Sequence, residues 1–135
     1  MNRFIEAQER DYKIALNEVQ SGKKLTHWIW YIFPQMRGLG RSFYAHLYGI
    51  INIEEAQEYL QDKILGERLR EITNALLEHY DKTADDIFGY LDAMKVKSCM
   101  TLFDAISPND IFDKVLDRFY EGKRCESTIR ILNRE

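Results

Sequence analysis

LTHWIWYIFPQMRGLGRS, residues 25–42, is the stretch whose reading decides the fold. It holds both tryptophans of the chain, Trp28 and Trp30, together with Tyr31 and Phe33, so the largest apolar side chains fall close together and any core must form around them. HWIWYIF has the β-branched and aromatic composition of a buried strand. A strand needs a partner, however. Its backbone N–H and C=O groups would go unsatisfied in the core, and no other segment of this chain alternates convincingly. The run is therefore read as a short helix, capped by Thr26 and stopped before Pro34, because proline disfavours a helical residue in front of it. Behind this apolar anchor come Gln35, Arg37, Gly38, Gly40, Arg41 and Ser42, which combine flexible backbone with cationic groups and can build a site.

Composition narrows the classes. With 135 residues, 45% hydrophobic and 13% aromatic, the chain suits one domain with a substantial core and no need of staples. A net charge of -3 from interspersed acids and bases gives no global field for nucleic acid or an anionic membrane, so neither is expected as a partner. The two cysteines, Cys99 and Cys125, match no metal-ligand spacing and are read as reduced thiols. The charged start, MNRFIEAQERDYK, lacks the apolar core of a signal peptide, and no apolar run approaches a membrane span. A cytoplasmic location is expected.

The rest of the chain reads as helices. Ile5, Tyr12, Leu16 and Val19 fall at helical spacing behind a candidate cap, Asn2, and Gly22 ends that segment. Ser42 caps a helix over 43–49, and Asn52 with Glu55 resembles a capping box opening a helix to Leu60. Leu65, Leu69, Ile72, Leu76 and Tyr80 then line one face of the clearest amphipathic helix. Thr83 and Asp86 form a second box-like start for a short turn interrupted by Gly89, and Asp92 caps a helix to Ile106. Ser107, Pro108 and Asp110 open a further helix whose buried stripe is Phe112, Val115, Leu116 and Phe119, closed by Gly122. Residues 127–133 make one docked or frayed turn. The expectation is an all-α fold, a compact single-domain bundle of six to eight short helices over 1–135 with no sheet.

Chemistry concentrates in two places. On a wheel of 92–106, Val96, Cys99, Met100, Leu102, Phe103 and Ile106 share one arc, while Lys97, Thr101 and Asp104 share another with Ser98 between. Ser98 and Thr101 either return their hydroxyls to backbone carbonyls or, with Lys97, face an anion. In the glycine turn, Gly38 and Gly40 permit positive φ and close approach, and the helix starting after Ser42 offers free amides to a phosphate or carboxylate that Arg37 and Arg41 could complete. The spacing fits neither the dinucleotide fingerprint nor the P-loop, and the glycines also serve simply to turn the chain. His27 could act as a base or be a packed structural residue. His46 and His79 share no metal-binding spacing with it, so no metal is expected, and no motif asks for a cofactor. Trp28 and Trp30 point to different sides of a helix, leaving one free to line a pocket and stack on a ring. No nucleophile, base and orienter can be assembled from spacing, so the residues leave open whether the chain is an enzyme.

Three motifs carry a resemblance. Phe4-Ile5-Glu6-Ala7-Gln8, the run from His27-Trp28-Ile29-Trp30 through Phe33-Pro34-Gln35 to Gly38-Leu39-Gly40-Arg41-Ser42, and Lys95-Val96-Lys97-Ser98-Cys99-Met100-Thr101-Leu102-Phe103 together resemble the bacterial domain-of-unknown-function family 1810 over nearly the whole chain. Tyr31 stands for that family's usual phenylalanine, and Cys99 at a position often serine. The resemblance implies a compact all-helical domain of bacterial cytoplasm and associates the two motif regions, but supplies no activity. Two functional readings follow. In one, the domain binds, and could process, a small phosphate-bearing metabolite of nucleotide or ADP-ribose type, held by Gln35, Gly38, Gly40, Arg41, Ser42, Lys97 and Thr101 with Trp30 stacking on the base and His27 moving a proton. In the other it is a non-enzymatic helical interaction module whose protein partner docks on an exposed apolar face.

Overall fold

Two polar side chains of the first helix decide what the aromatic run becomes. In the computed structural model, which describes residues 1–135, helix α1 spans Asn2–Ser21 and ends at Gly22, whose left-handed backbone (φ 83°) lets its N–H close on the carbonyls of Glu18 and Val19. Glu18 lies 9% exposed at that end. Its carboxylate accepts the backbone N–H of Leu25 (2.8 Å) and Thr26 (3.0 Å), the Thr26 hydroxyl (2.8 Å) and the indole N–H of Trp28 (2.9 Å). One turn of helix then follows, α2, Ile29–Ile32. So short a helix cannot hold itself. Buried Gln8 supports it from α1 by donating to the Tyr31 carbonyl (2.8 Å) and to the Tyr59 hydroxyl (3.0 Å). The strand-like composition is thus overruled by side chains that satisfy the backbone without a sheet.

Past Pro34 the backbone pairs once, in an isolated parallel bridge between Met36 and Ile50. Ile50 donates to the Gln35 carbonyl (2.9 Å) and Arg37 to that of Ile50 (2.8 Å), and the loop between them carries α3, Phe43–Leu47. Six further helices follow: α4 Ile53–Gln61, α5 Lys63–Leu77, α6 Ala84–Phe88, α7 Tyr90–Ile106, α8 Phe112–Tyr120 and α9 Glu126–Asn133. The fold is all-α with no strand. Its nine helices exceed the expected six to eight because both marginal turns, α6 and α9, are helical. Helix α7 is the hub, packed against α2, α4, α6, α8 and α9, while α1 lies across α2 and α5. One cluster of 32 buried apolar residues joins them, with Trp28, Phe33, Tyr59, Phe103 and Phe112 all under 2% exposed. Burying each such side chain stabilises by about 1.5–3 kcal/mol, so this cluster dominates the energetics.

The local end signals divide. Ser42, Asn52 and Thr83 cap as expected, accepting the amides of Ala45, Glu55 and Asp86. Four others do not. Thr26 gives its hydroxyl to Glu18, so Trp28 stands at the cap position of α2 and no side chain caps it. Asn2 is already the first residue of α1, and Met1 stands at the cap position with no side-chain cap. Helix α7 starts from Gly89, and Asp92 instead pairs with Lys24 (2.9 Å) and Lys95 (3.2 Å). The 107–110 segment is a turn in which the Ser107 hydroxyl donates to Asp110, itself bound to Arg70 (2.8 Å), and α8 opens only after Ile111. Tyr80, expected on the buried face, is 87% exposed because α5 stops at Leu77. The other four of that face, Leu65, Leu69, Ile72 and Leu76, are at most 1% exposed.

Candidate functional site

The chain leaves α8 through two left-handed residues, Glu121 (φ 56°) and Gly122 (φ 75°), with the Gly122 N–H closing on the Leu116 carbonyl. This reversal carries residues 123–125 back along α7, where two hydroxyls fasten them. Thr101, 1% exposed, donates to the Lys97 carbonyl (2.8 Å) and accepts the backbone N–H of Cys125 (2.9 Å). One turn earlier Ser98 donates to the Met94 carbonyl (3.1 Å) and lies 3.3 Å from the Cys125 sulfur. Helix α9 then starts, with Cys125 as the residue just ahead of it, and borders, with α7, an open cleft of about 740 Å³.

Charge in the cleft opposes the chain's net charge. Lys97, Lys123, Arg124 and Arg130 line it with a single acid, Glu126, while Met94 and Ile129 provide apolar wall. Arg124 is held by Asp104 (3.0 Å) and the Gly122 carbonyl, and Lys123 lies 3.8 Å from Glu121. Lys97 and Arg130 take part in none of the chain's ion pairs; Arg130 meets only the Ser127 hydroxyl (3.1 Å). Burial pushes the Cys125 thiol up, but the polar groups around it, first among them the Ser98 hydroxyl 3.3 Å from the sulfur, outweigh that and leave it below the ordinary cysteine range. Both cysteines are free. No group of three or more His, Cys, Asp or Glu side chains could hold a metal ion.

The sequence-derived candidates separate around this cleft. Lys97 lines it and Thr101 is buried beneath it, spending its hydroxyl on the backbone. Trp30, Gln35, Gly38, Gly40, Arg41 and Ser42 are not among its walls. Trp30 is half-buried on α2, with the Tyr44 ring centroid at 5.3 Å and the Lys95 ammonium 5.5 Å from its own ring centroid, so α7 touches both regions. Gln35 is buried, while Arg41 is exposed beside the cap Ser42. Gly38 takes positive φ (104°) facing Ile131 of α9; Gly40 is needed for close approach, since a Cβ there would lie 2.9 Å from that of Ala45. Helix α9 therefore lies against the cleft at one end and the glycine turn further along. His27 is exposed ahead of α2, His46 is exposed, and the His79 ring lies 2.6 Å from the Val19 carbonyl.

Sequence reasoning missed Cys125, Lys123, Arg124 and Arg130. The available signal was Lys123-Arg124-Cys125 directly after Gly122, ahead of a segment read only as a docked turn. A cationic pair entering a helix N-terminus is unusual, because the helix dipole disfavours it unless an anion intervenes.

Comparison with known proteins gives the family. Residues 1–132 match the family described as "Protein of unknown function (DUF1810)", and the chain belongs to it. Its structure is similar to the crystal structure of the conserved hypothetical protein Rv1873 from Mycobacterium tuberculosis, with a TM-score of 0.96 and 40% identity, covering 98% of this chain and 95% of that one. Over 72 residues, 52% of this chain, it is also 36% identical to the RNA polymerase I-specific transcription initiation factor RRN6 of Saccharomyces cerevisiae, of whose length the match spans 8%. No helix is long and apolar enough to cross a membrane.

Proposed function

We propose that this DUF1810 member binds a small phosphate-bearing metabolite of nucleotide or ADP-ribose type, with the phosphate held in the cleft between α7 and α9. The observation that carries the reading is the cleft itself: four cationic side chains against one acid around about 740 Å³, in a chain of net charge -3. Unpaired Lys97 and Arg130 are the groups with charge to spare, and a dianion between them would be attracted by both, in a salt-dependent way because Arg130 is exposed. Trp30, half-exposed beyond the Lys95 side of α7, is the candidate for ring stacking. In this reading Gln35, Gly38, Gly40, Arg41 and Ser42 form the outer contact, reached by the part of the ligand that leaves the cleft. Thr101 acts through the loop it fastens. His27 remains the candidate for proton transfer should the ligand be turned over.

A melting-temperature screen against inorganic phosphate, AMP and ADP-ribose tests the reading. A ligand at a hundred times its dissociation constant adds about 2.7 kcal/mol of stability, well above detection. The expected result is a shift with at least one phosphate compound that disappears in Lys97→Ala and in Arg130→Ala, both surface changes that leave the core intact. A flat screen, or a shift that survives both substitutions, overturns it and leaves the interaction-module reading.

A further inference from the structure

The outer side of α7 changes character along its length. Thr101, Ser98, Met94 and Leu91 step back by three, four and three, so they share one side of the helix, with Lys97 and Tyr90 beside them. At the C-terminal end of this side the 123–125 segment and α9 cover Ser98 and Thr101, which are buried. The N-terminal end stands uncovered: Tyr90 is 67% exposed, Leu91 70% and Met94 52%. Single exposed apolar side chains are ordinary, but these three are neighbours on adjacent turns of one helix and form a continuous patch. Met94 belongs both to the patch and to the wall of the cleft, so the apolar surface runs without a break into the space that Lys97 and Arg130 line. Ile129, beside Arg130, extends it on the α9 side.

We propose that this face receives an acidic amphipathic helix of a partner protein, with apolar side chains seated on Tyr90, Leu91 and Met94 and carboxylates reaching Lys97 and Arg130. Charge complementarity selects an acidic occupant, because four cations stand here against Glu126 alone while the chain as a whole carries -3. A second copy meeting this face about a twofold axis would set Lys97 and Arg130 against themselves. A nucleic-acid backbone would match the cations but leave the three apolar side chains in water. The surface is made of α7 and α9 and has no strand edge, so an extended segment could not pair with it, and the occupant has to satisfy its own backbone as a helix does. From Tyr90 to Lys97 the rise along α7 is about 10 Å, so a partner helix of about three turns covers both halves. Met94, unbranched and adaptable, sits at their junction. The partner's carboxylates draw on the same two cations as the phosphate of the proposed metabolite, so the two ligands compete, whereas the apolar half of the surface serves the partner alone.

The test selects binders to the full chain from a phage-displayed library of random peptides about twelve residues long, enough for three turns. Expected are enriched peptides with an excess of Asp and Glu and with apolar residues three and four apart. The tightest of them, labelled and followed by fluorescence anisotropy, should bind at least about tenfold more weakly to the Leu91→Ser, Met94→Ser double variant and to the Lys97→Ala, Arg130→Ala double variant, and more weakly as salt rises. All four side chains lie at the surface, and an unchanged melting temperature in each variant checks that the fold is kept. No enrichment, enrichment without an acidic excess, or an affinity that either double variant leaves intact would overturn the proposal. So would a concentration-dependent dimer, or binding to phosphatidylserine vesicles, that the Leu91→Ser, Met94→Ser variant abolishes, since either assigns the face to another occupant. The metabolite reading fails separately. Successful selection with a flat melting screen removes the metabolite and keeps the docking surface; a melting shift with phosphate compounds that survives Leu91→Ser, Met94→Ser, together with a failed selection, does the reverse.

Discussion

Replacing Glu18 with glutamine isolates the group that holds the aromatic run in place. The glutamine oxygen can keep the three N–H donors now on one carboxylate oxygen, from Leu25, Thr26 and Trp28, and the Thr26 hydroxyl can turn to accept from the new amide. Geometry is preserved and only the charge is removed. Hydrogen bonds to a charged group are worth about 1.5–3 kcal/mol against about 0.5–1.5 for neutral pairs, so each bond loses roughly 1 kcal/mol. Leu25 and Thr26 are exposed and water offsets part of their loss, whereas the indole of Trp28 is 1% exposed and has no such recourse. The expected cost is about 2–3 kcal/mol at neutral pH, or a fall in melting temperature of about 10 °C for a chain of this size. Acidity supplies a second, sharper check. Burial raises the Glu18 carboxyl, but the four donors outweigh it and the folded group sits below its ordinary value. In the window between the folded value and the unfolded one near about 4.3, the unfolded chain binds more protons, so stability rises with pH there, is fully present above it, and is lost as acid protonates the folded carboxylate. The gap between wild type and Glu18→Gln should accordingly be widest at neutral pH and close in acid, as read by urea unfolding with tryptophan fluorescence. A gap below about 0.5 kcal/mol at neutral pH, or one that does not shrink in acid, would refute the reasoning.

Two further substitutions test other joints of the fold. Thr101→Val keeps the shape of a residue 1% exposed but removes both bonds that fasten the 123–125 segment; it should cost about 1–3 kcal/mol and raise hydrogen exchange in α9 more than in α7, and equal exchange in both would show that the hydroxyl is not the fastening. Gly66→Ala sets two effects against each other: alanine favours the helix by about 1 kcal/mol, but its Cβ would lie 2.1 Å from the Leu60 carbonyl oxygen, so the α4–α5 junction has to open. The clash should win, with a net loss of about 3 kcal/mol, and a variant as stable as the parent would disprove the close approach.

The parts of this molecule that could be read from sequence are those decided by short-range chemistry or by period. Leu65, Leu69, Ile72 and Leu76 of α5 and Val96, Cys99, Met100, Leu102 and Phe103 of α7 are buried as their spacing requires, and Ser42, Asn52 and Thr83 cap because their hydrogen-bond partners lie within three residues. Thr26, Asp92 and Ser107 carry the same local signal and do otherwise, since each has a partner that spacing cannot reveal: Glu18 from the preceding helix, Lys24 from the loop after α1, and an Asp110 already fixed by Arg70. A cap bond is worth about 1 kcal/mol, so a charge-assisted bond to a distant group is enough to override it. The same limit hid the cleft. Its fastening bonds join residues 24 and 27 positions apart, and its charge comes from Lys97 on one side and Lys123, Arg124 and Arg130 on the other, none of which means anything until the reversal at Gly122 brings them together.

The three motifs behind the family resemblance acquire different roles for that reason. Gln8 joins the first motif to the second through the Tyr31 carbonyl, and Lys95 joins the second to the third across the Trp30 ring. In the third, Met100, Leu102 and Phe103 are fully buried and hold α7 in the core, while Ser98 and Thr101 turn to the other side and build the wall that receives Cys125. Core packing alone would be served as well by alanine and valine at positions 98 and 101, because neither hydroxyl contributes to the apolar cluster. Hydroxyls at both positions matter only if the segment they fasten has to be held at a fixed place over α7. That requirement, more than the aromatic density of residues 27–33, connects the fold to the cleft.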